Sequence, residues 1–342
     1  MANEELGVES GRSRRIVVVT GASAGVGRAV VRAFAREGAD LALIARGQAG
    51  LEAARCEAEA AGSRVLVLPL DVADSEAVEA AAARVEAELG PIDVWVNNAM
   101  VSVFSPVKET TAEEFRRVTE VTYLGYVHGT LSALRRMAPR DHGTIVQVGS
   151  ALAYRGIPLQ AAYCGAKHAI QGFTESVRCE LLHDGSKIHL TMVQLPALNT
   201  PQFTMARNRL PRHPMPVPPI YQPEVAADAI VWASEHRRRE VWVGASTPAV
   251  IVGNALVPTA ADHFLARTGF DGQQSDMPPD GGPDYLFAPR PGDHGTHGRF
   301  GEMARDSSAQ LRLTKALPDW AAGMLSAAAG SAFGLLQKRL GS

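Results

Sequence analysis

Tyr163 and Lys167 stand four residues apart in a stretch of helical periodicity, which places both side chains on one face, one turn above the other. An ammonium beside a phenol favours the phenolate, so the pair is expected to lower the tyrosine pKa and make Tyr163 a proton donor and acceptor near neutral pH. Ser150 ends the β-branched run 144–148 and is expected to hydrogen-bond the same substrate oxygen. Such a trio suits the interconversion of a carbonyl and an alcohol, provided that a hydride donor lies beside it.

A site for that donor is written near the N-terminus. The run 16–20 leads straight into Thr20-Gly21-Ala22-Ser23-Ala24-Gly25-Val26-Gly27 and then into a helix. Glycines at 21, 25 and 27 let the backbone bend and approach a pyrophosphate, while the helix start offers unpaired N–H groups and positive potential. Gly21, Ser23, Gly25, Val26 and Gly27 are therefore the candidate phosphate cradle. At the end of the second run, dinucleotide folds place an acid for the ribose hydroxyls of NAD, but here the chain reads Ile44-Ala45-Arg46. A guanidinium suits a 2′-phosphate, so NADP(H) is expected.

The elements that must position these residues follow from periodicity. Short apolar runs at 16–20, 41–45, 65–70, 94–96, 144–148, 189–195 and 241–243 read as buried parallel strands. Helical periodicity holds over 27–37, 51–61, 75–89, 112–134, 163–183 and 224–236. Repeated βαβ units of this kind predict an α/β, Rossmann-type doubly wound sheet in a single domain, spanning 14–256. Thr111 and Glu114 have capping-box spacing and mark a helix start. Residues 1–13 are expected to be a flexible lead, and 257–342 a C-terminal appendage ending in an Ala-rich helix at 320–338.

Taken together, Thr20-Gly21, Gly25 and Gly27, Asp71-Val72, Asn97-Asn98-Ala99, Ser150 and the Tyr163/Lys167 pair resemble the short-chain dehydrogenase/reductase family over roughly residues 14 to 256. The strength of the likeness lies in five motifs in the right order on the right elements. It implies that Tyr163 is the general acid in reduction, that Lys167 binds the nicotinamide ribose and tunes Tyr163, and that Ser150 orients the carbonyl. It further implies that Asp71 and Val72 contact the adenine, that Asn97, Asn98 and Ala99 line the cofactor, and that Thr200, after Leu195-Pro196, reaches the carboxamide or pyrophosphate. A homodimer or homotetramer through helices 112–134 and 163–183 is also implied.

The chain departs from the family pattern at three places. Thr122 stands where an asparagine usually holds a water in the relay to the lysine, so the relay is expected to be altered. Met100 and Ala197 replace glycines. Met100, with Val101, Val103, Phe104, Leu152 and Tyr154, is expected to form an apolar substrate wall, and Leu198 begins a proline-rich stretch to residue 223 that reads as a partly rigid lid.

Bulk properties set the remaining bounds. With 34 basic and 36 acidic side chains and a formal charge of -2, nothing favours a nucleic-acid partner. Cys56, Cys164 and Cys179 form no C-x-x-C pair, which fits a reducing cytoplasm. His294 and His297 lack a framing helix or carboxylate cluster, so no metal site is expected. Residues 320–337 are uncharged, and their expected use is docking on the body or on a second subunit, with a membrane surface as the alternative. The alternative to an enzyme is a dinucleotide-binding regulator or scaffold, which would have no need of an acid tuned by a lysine.

Overall fold

Strands form where β-branched and leucine-rich runs can be covered, on both faces in the middle of the sheet and partly at its edges. The computed structural model describes residues 14–318. Residues 1–13 and the Ala-rich helix expected at 320–338 lie outside them. Seven parallel strands build the central sheet: β1 (Ile16–Thr20), β2 (Asp40–Ala45), β3 (Val65–Pro69), β4 (Val94–Asn97), β5 (Thr144–Val148), β6 (His189–Gln194) and β7 (Glu240–Trp242). Their order is β7-β6-β5-β4-β1-β2-β3, with Val18 registered between Ala42 and Trp95. This is the doubly wound arrangement that the periodicity predicts.

Alternation along the strands divides the core into two layers. Val17, Val19, Leu41 and Leu43 face α1 (Gly25–Arg36), α2 (Gln48–Ala60) and α8 (Pro223–Glu235), meeting Phe34, Ala54 and Ile230. Val18, Ala42, Ile44 and Trp95 face the other way, toward Val78 of α3 (Ser75–Glu88) and Met137 of α5 (Gly125–Met137). Each buried valine or leucine contributes about 1.5–3 kcal/mol relative to exposure.

The helix expected over 112–134 is broken. It runs as α4 (Ala112–Thr119), a π-helical turn at Glu120–Leu124, and α5. Two long-range contacts accompany the break. The Thr122 hydroxyl both donates to Val101 O at 2.9 Å and accepts from Val101 N at 3.1 Å, and a side chain at Gly125 would meet Val72 Cγ2 at 2.6 Å. The capping box at Thr111 and Glu114 is present.

α6 (Ala161–His183) carries the Tyr163/Lys167 pair, and α7 (Gln202–Met205) follows the sixth strand. Helix α9 (Ser246–Leu256) and α10 (Pro258–Thr268) come next. Beyond them the chain returns over the carboxyl ends of the strands, pairs Ala304 with Ile220, and closes with α11 (Ala309–Ala316). Leu311 joins the α8 side of the core, and Lys315 pairs with Asp228. The segment expected to be an appendage is thus built into the body as far as it is described.

Candidate active site

The order of the strands opens a crevice beyond β1 and β4, where ligands bind in open α/β sheets. Two clefts meet there. The first, of about 200 Å³, is lined by Gly21, Ser23, Gly25, Val26, Arg46 and Asp71, and by Val72, Asn98, Ala99 and Thr200. The second, of about 740 Å³, holds Ser150, Leu152, Tyr163, Lys167, Pro196 and Leu198. Val26, Asn98, Met100 and Thr200 border both.

The glycine turn is shaped by contact rather than by flexibility alone. Gly21 and Gly25 take φ of +68° and +55°, and a Cβ at Gly27 would lie 2.0 Å from Gly21 O. Asn98 holds the turn from behind: its Nδ2 donates to Thr20 O at 2.9 Å, while Thr20 Oγ1 accepts from Asn98 N and Ala99 N at 2.9 and 3.1 Å. Across the cleft Thr200 Oγ1 is buried without a hydrogen-bond partner among the described residues. A helix start without a side-chain cap, a glycine cradle and an orphaned hydroxyl together fit a nicotinamide dinucleotide.

Arg46 lies at the end of β2, where its guanidinium donates to Tyr285 O and, at 3.4 Å, to Leu286 O. Asp71 accepts from Arg117 and from Ala73 N, and stands 4.0 Å from Arg46. The helix after Asp71 is capped by Asp74, whose carboxylate accepts from Glu76 N and Ala77 N. Asp71 is therefore left at the cleft.

At the chemical end, Ser150 N donates to Gln194 Oε1 at 2.7 Å and Ser150 Oγ accepts from Leu152 N at 3.1 Å, while the Tyr163 phenol lines the same cleft as Ser150. Gln194 presses so close that a side chain at Gly149 would meet its Oε1 at 2.1 Å. Lys167 Nζ lies 5.6 Å from the Tyr163 ring centre. It donates instead to Val148 O at 2.7 Å and to the Tyr126 hydroxyl at 3.1 Å. Burial holds the Lys167 ammonium down at about 7. Burial also pushes the Tyr163 phenol up, opposed by the neighbouring Ser150 hydroxyl. The lowered tyrosine expected from spacing is not met here, because removal from water outweighs an ammonium that is bonded elsewhere.

Two more expected site residues are placed away from the chemistry. Thr122 is fully buried and committed to both backbone groups of Val101, so its hydroxyl has no bond to Lys167. Tyr154 lies outside both clefts, its hydroxyl on the Glu240 carboxylate at 2.8 Å, because its ring turns toward the β7 edge of the sheet. Of the remaining wall residues, Val101 borders the first cleft and Phe104 the second, while Val103 is core. Met215, Pro216, Val217 and Pro218 of the proline-rich stretch line the second cleft.

Several lining residues carried no signal in the spacing of motifs. Tyr126, which lines neither cleft but accepts from Lys167, is marked in the sequence only as the residue one turn beyond Thr122. Val250 of α9, Val257 between the helices, and Phe264 and Leu265 of α10 wall the second cleft, and Tyr285, Arg290 and His294 wall the first. His297 pairs with Glu224, apart from these clefts.

Comparison with known proteins agrees with this geometry. A family profile described as short chain dehydrogenase matches residues 15–210. The Bacillus subtilis protein named Uncharacterized oxidoreductase YxnA is 31% identical over 266 residues, covering 77% of this chain and 75% of its own. Among solved structures, a short-chain dehydrogenase from Streptomyces avermitilis superposes with a TM-score of 0.63 at 26% identity, covering 75% of this chain and 98% of its own. An alcohol dehydrogenase from Thermococcus sibiricus complexed with 5-hydroxy-NADP gives 0.58 at 27% identity, covering 67% and 96%.

Proposed function

The chain belongs to the short-chain dehydrogenase/reductase family, and we propose that it is an NADP(H)-dependent reductase or dehydrogenase of apolar carbonyl or alcohol substrates, with Tyr163 as the general acid and base. The observation that carries this reading is the meeting of Ser150, Tyr163 and Lys167 in a large, chiefly apolar cleft that joins the glycine-turn cleft at Met100 and Thr200. The bound nicotinamide would supply or accept the hydride.

The protein's own groups do the rest. Ser150 and Tyr163 line the same cleft, so a substrate oxygen placed between them would meet two hydroxyls. Tyr163 holds its proton in the absence of ligand, as a general acid for reduction must. Lys167, 2% exposed and near neutrality, gains an anionic neighbour when the phenol gives up its proton, which favours the ammonium at that moment. Arg46 supports NADP over NAD: two of its N–H groups are held by carbonyls, leaving three of the five guanidinium donors for a 2′-phosphate. The size and lining of the second cleft support an apolar substrate.

The test is a screen of NADPH and NADH oxidation over aldehydes, ketones and sterols, run on the parent and on Tyr163→Phe. Turnover with NADPH is expected in the parent, with a loss of at least about 100-fold in kcat for Tyr163→Phe while NADPH binding is kept. A variant as active as the parent would sink the mechanism, and a preference for NADH would sink the cofactor assignment.

A further inference from the structure

The C-terminal return brings Arg290 and His294 into the first cleft, opposite the glycine turn. It is anchored on both sides of them. Upstream, Tyr285 and Leu286 offer their carbonyls to Arg46, Leu286 O also accepts from Arg117 at 3.0 Å, and the Tyr285 hydroxyl accepts from Ser102 N at 3.1 Å. Downstream, Asp293 accepts from the buried Arg28 at 3.0 Å, and Gly25 N donates to Gly295 O at 3.0 Å. Gly298 then passes so near that a side chain there would meet Thr200 O at 2.5 Å.

Arg290 sits between these anchors. Its guanidinium is half-buried and donates to Thr204 O at 2.6 Å, and among the described residues it has no ion-pair partner. Arg299 of the same segment, by contrast, pairs with Asp280 at 2.8 Å. A half-buried cation without a counter-ion carries a desolvation cost that an anion would offset. The wall it faces is also electropositive, being the start of α1, which no side chain caps and whose Gly25 amide is held by Gly295 O. The acid in the lining, Asp71, is already bonded to Arg117. A cleft with cations on one side and a helix start on the other is suited to a pyrophosphate.

We propose that Arg290 is a ligand of the cofactor phosphates, so that the C-terminal segment supplies the outer wall of the dinucleotide site; this rests on reading the first cleft as that site. Gly295 O holds the Gly25 amide at the helix start, so the segment must shift outward for a phosphate to reach that amide. It then closes with Arg290 on the phosphates.

The experiment measures NADPH binding to the full chain by nucleotide fluorescence, for the parent, Arg290→Gln, Arg290→Lys and Arg299→Gln. Arg290→Gln keeps a donor for Thr204 O but loses the charge, and is expected to bind at least about tenfold more weakly, with a shallower salt dependence. Arg290→Lys is expected to recover most of the affinity, and Arg299→Gln to bind as the parent does. If the parent binds NADPH and Arg290→Gln stays within about twofold of it, the Arg290 assignment is wrong and the dinucleotide site stands. If the parent binds neither NADPH nor NADH, the reading of the cleft itself fails. Limited proteolysis gives a second readout: NADPH is expected to slow cleavage within 285–299 in the parent, and unchanged cleavage would overturn the role of the segment as a wall.

Discussion

Lys167 is 2% exposed and donates to two neutral acceptors, Val148 O and the Tyr126 hydroxyl, so folding takes an ammonium out of water without giving it an acid. Its pKa falls from 10.5 to about 7 for that reason. Between those values the unfolded chain binds more protons than the folded one, so stability rises with pH across that window, and the penalty is fully present below about 7. Lys167→Met removes the titrating group. The variant is expected to unfold about 2 °C or more above the parent at pH 6, with the gap closing toward pH 10, while catalysis is lost. A gap in melting temperature that does not change with pH would show that Lys167 is not the group responsible. The trio itself was legible because hydroxyl, phenol and ammonium stand at diagnostic spacings. The partner of the ammonium was not, since Tyr126 reaches it from α5 through packing that no local pattern encodes. Thr122 misled for the same reason: its place in the motif says nothing of the bond it makes to Val101.

Elements were legible in proportion to their regularity. All seven parallel strands could be read because each carries a short β-branched or apolar run, covered on both faces in the middle of the sheet and partly exposed at its two edges. The π-helical turn could not, since Glu120–Leu124 is ordinary helical sequence and its break coincides with contacts to Val72 and Val101, distant in the chain. The return over the cofactor cleft was opaque because its Gly, Pro and Asp-rich sequence has no period, and its order comes from anchors such as Arg28 to Asp293 and Arg46 to the Tyr285 carbonyl. Helices α9 and α10 were the larger omission. They bring Val250, Val257, Phe264 and Leu265 to the second cleft and so set its depth. Val250→Trp adds an indole to a wall of that cleft, and each methylene it displaces from burial costs about 0.8 kcal/mol. The kcat/KM for a long-chain aldehyde is therefore expected to fall at least about tenfold, with little change for a short one, giving a shift in the ratio that a loss of folding cannot mimic. An unchanged ratio would move the substrate away from α9.

At the scale of the whole molecule, charge nearly balances, and among the described residues no helix is long and apolar enough to cross a membrane. What remains is the outer side of α6, which packs against α4 and the π-helical turn from which α5 continues. Leu124 and Leu131 lie seven residues, two helical turns, apart and are 36% and 45% exposed. On α6, Gly165 and Gly172 have the same spacing, and a side chain at either would meet no atom within 4 Å. Single exposed leucines are ordinary, but two at this spacing, with two side-chain-free turns on α6, leave room for another helix to approach closely. A surface of this kind can be self-complementary about a twofold axis. We expect the parent to run as a dimer or tetramer by light scattering, and Leu131→Arg combined with Gly172→Arg to run as a smaller species. The paired guanidinium groups would then face each other across the axis, with burial opposed by desolvation and like charge. Because neither residue lines the clefts, NADPH binding should survive the change in assembly. A monomeric parent, or a double variant that keeps the parent's mass in solution, would place the assembly surface elsewhere.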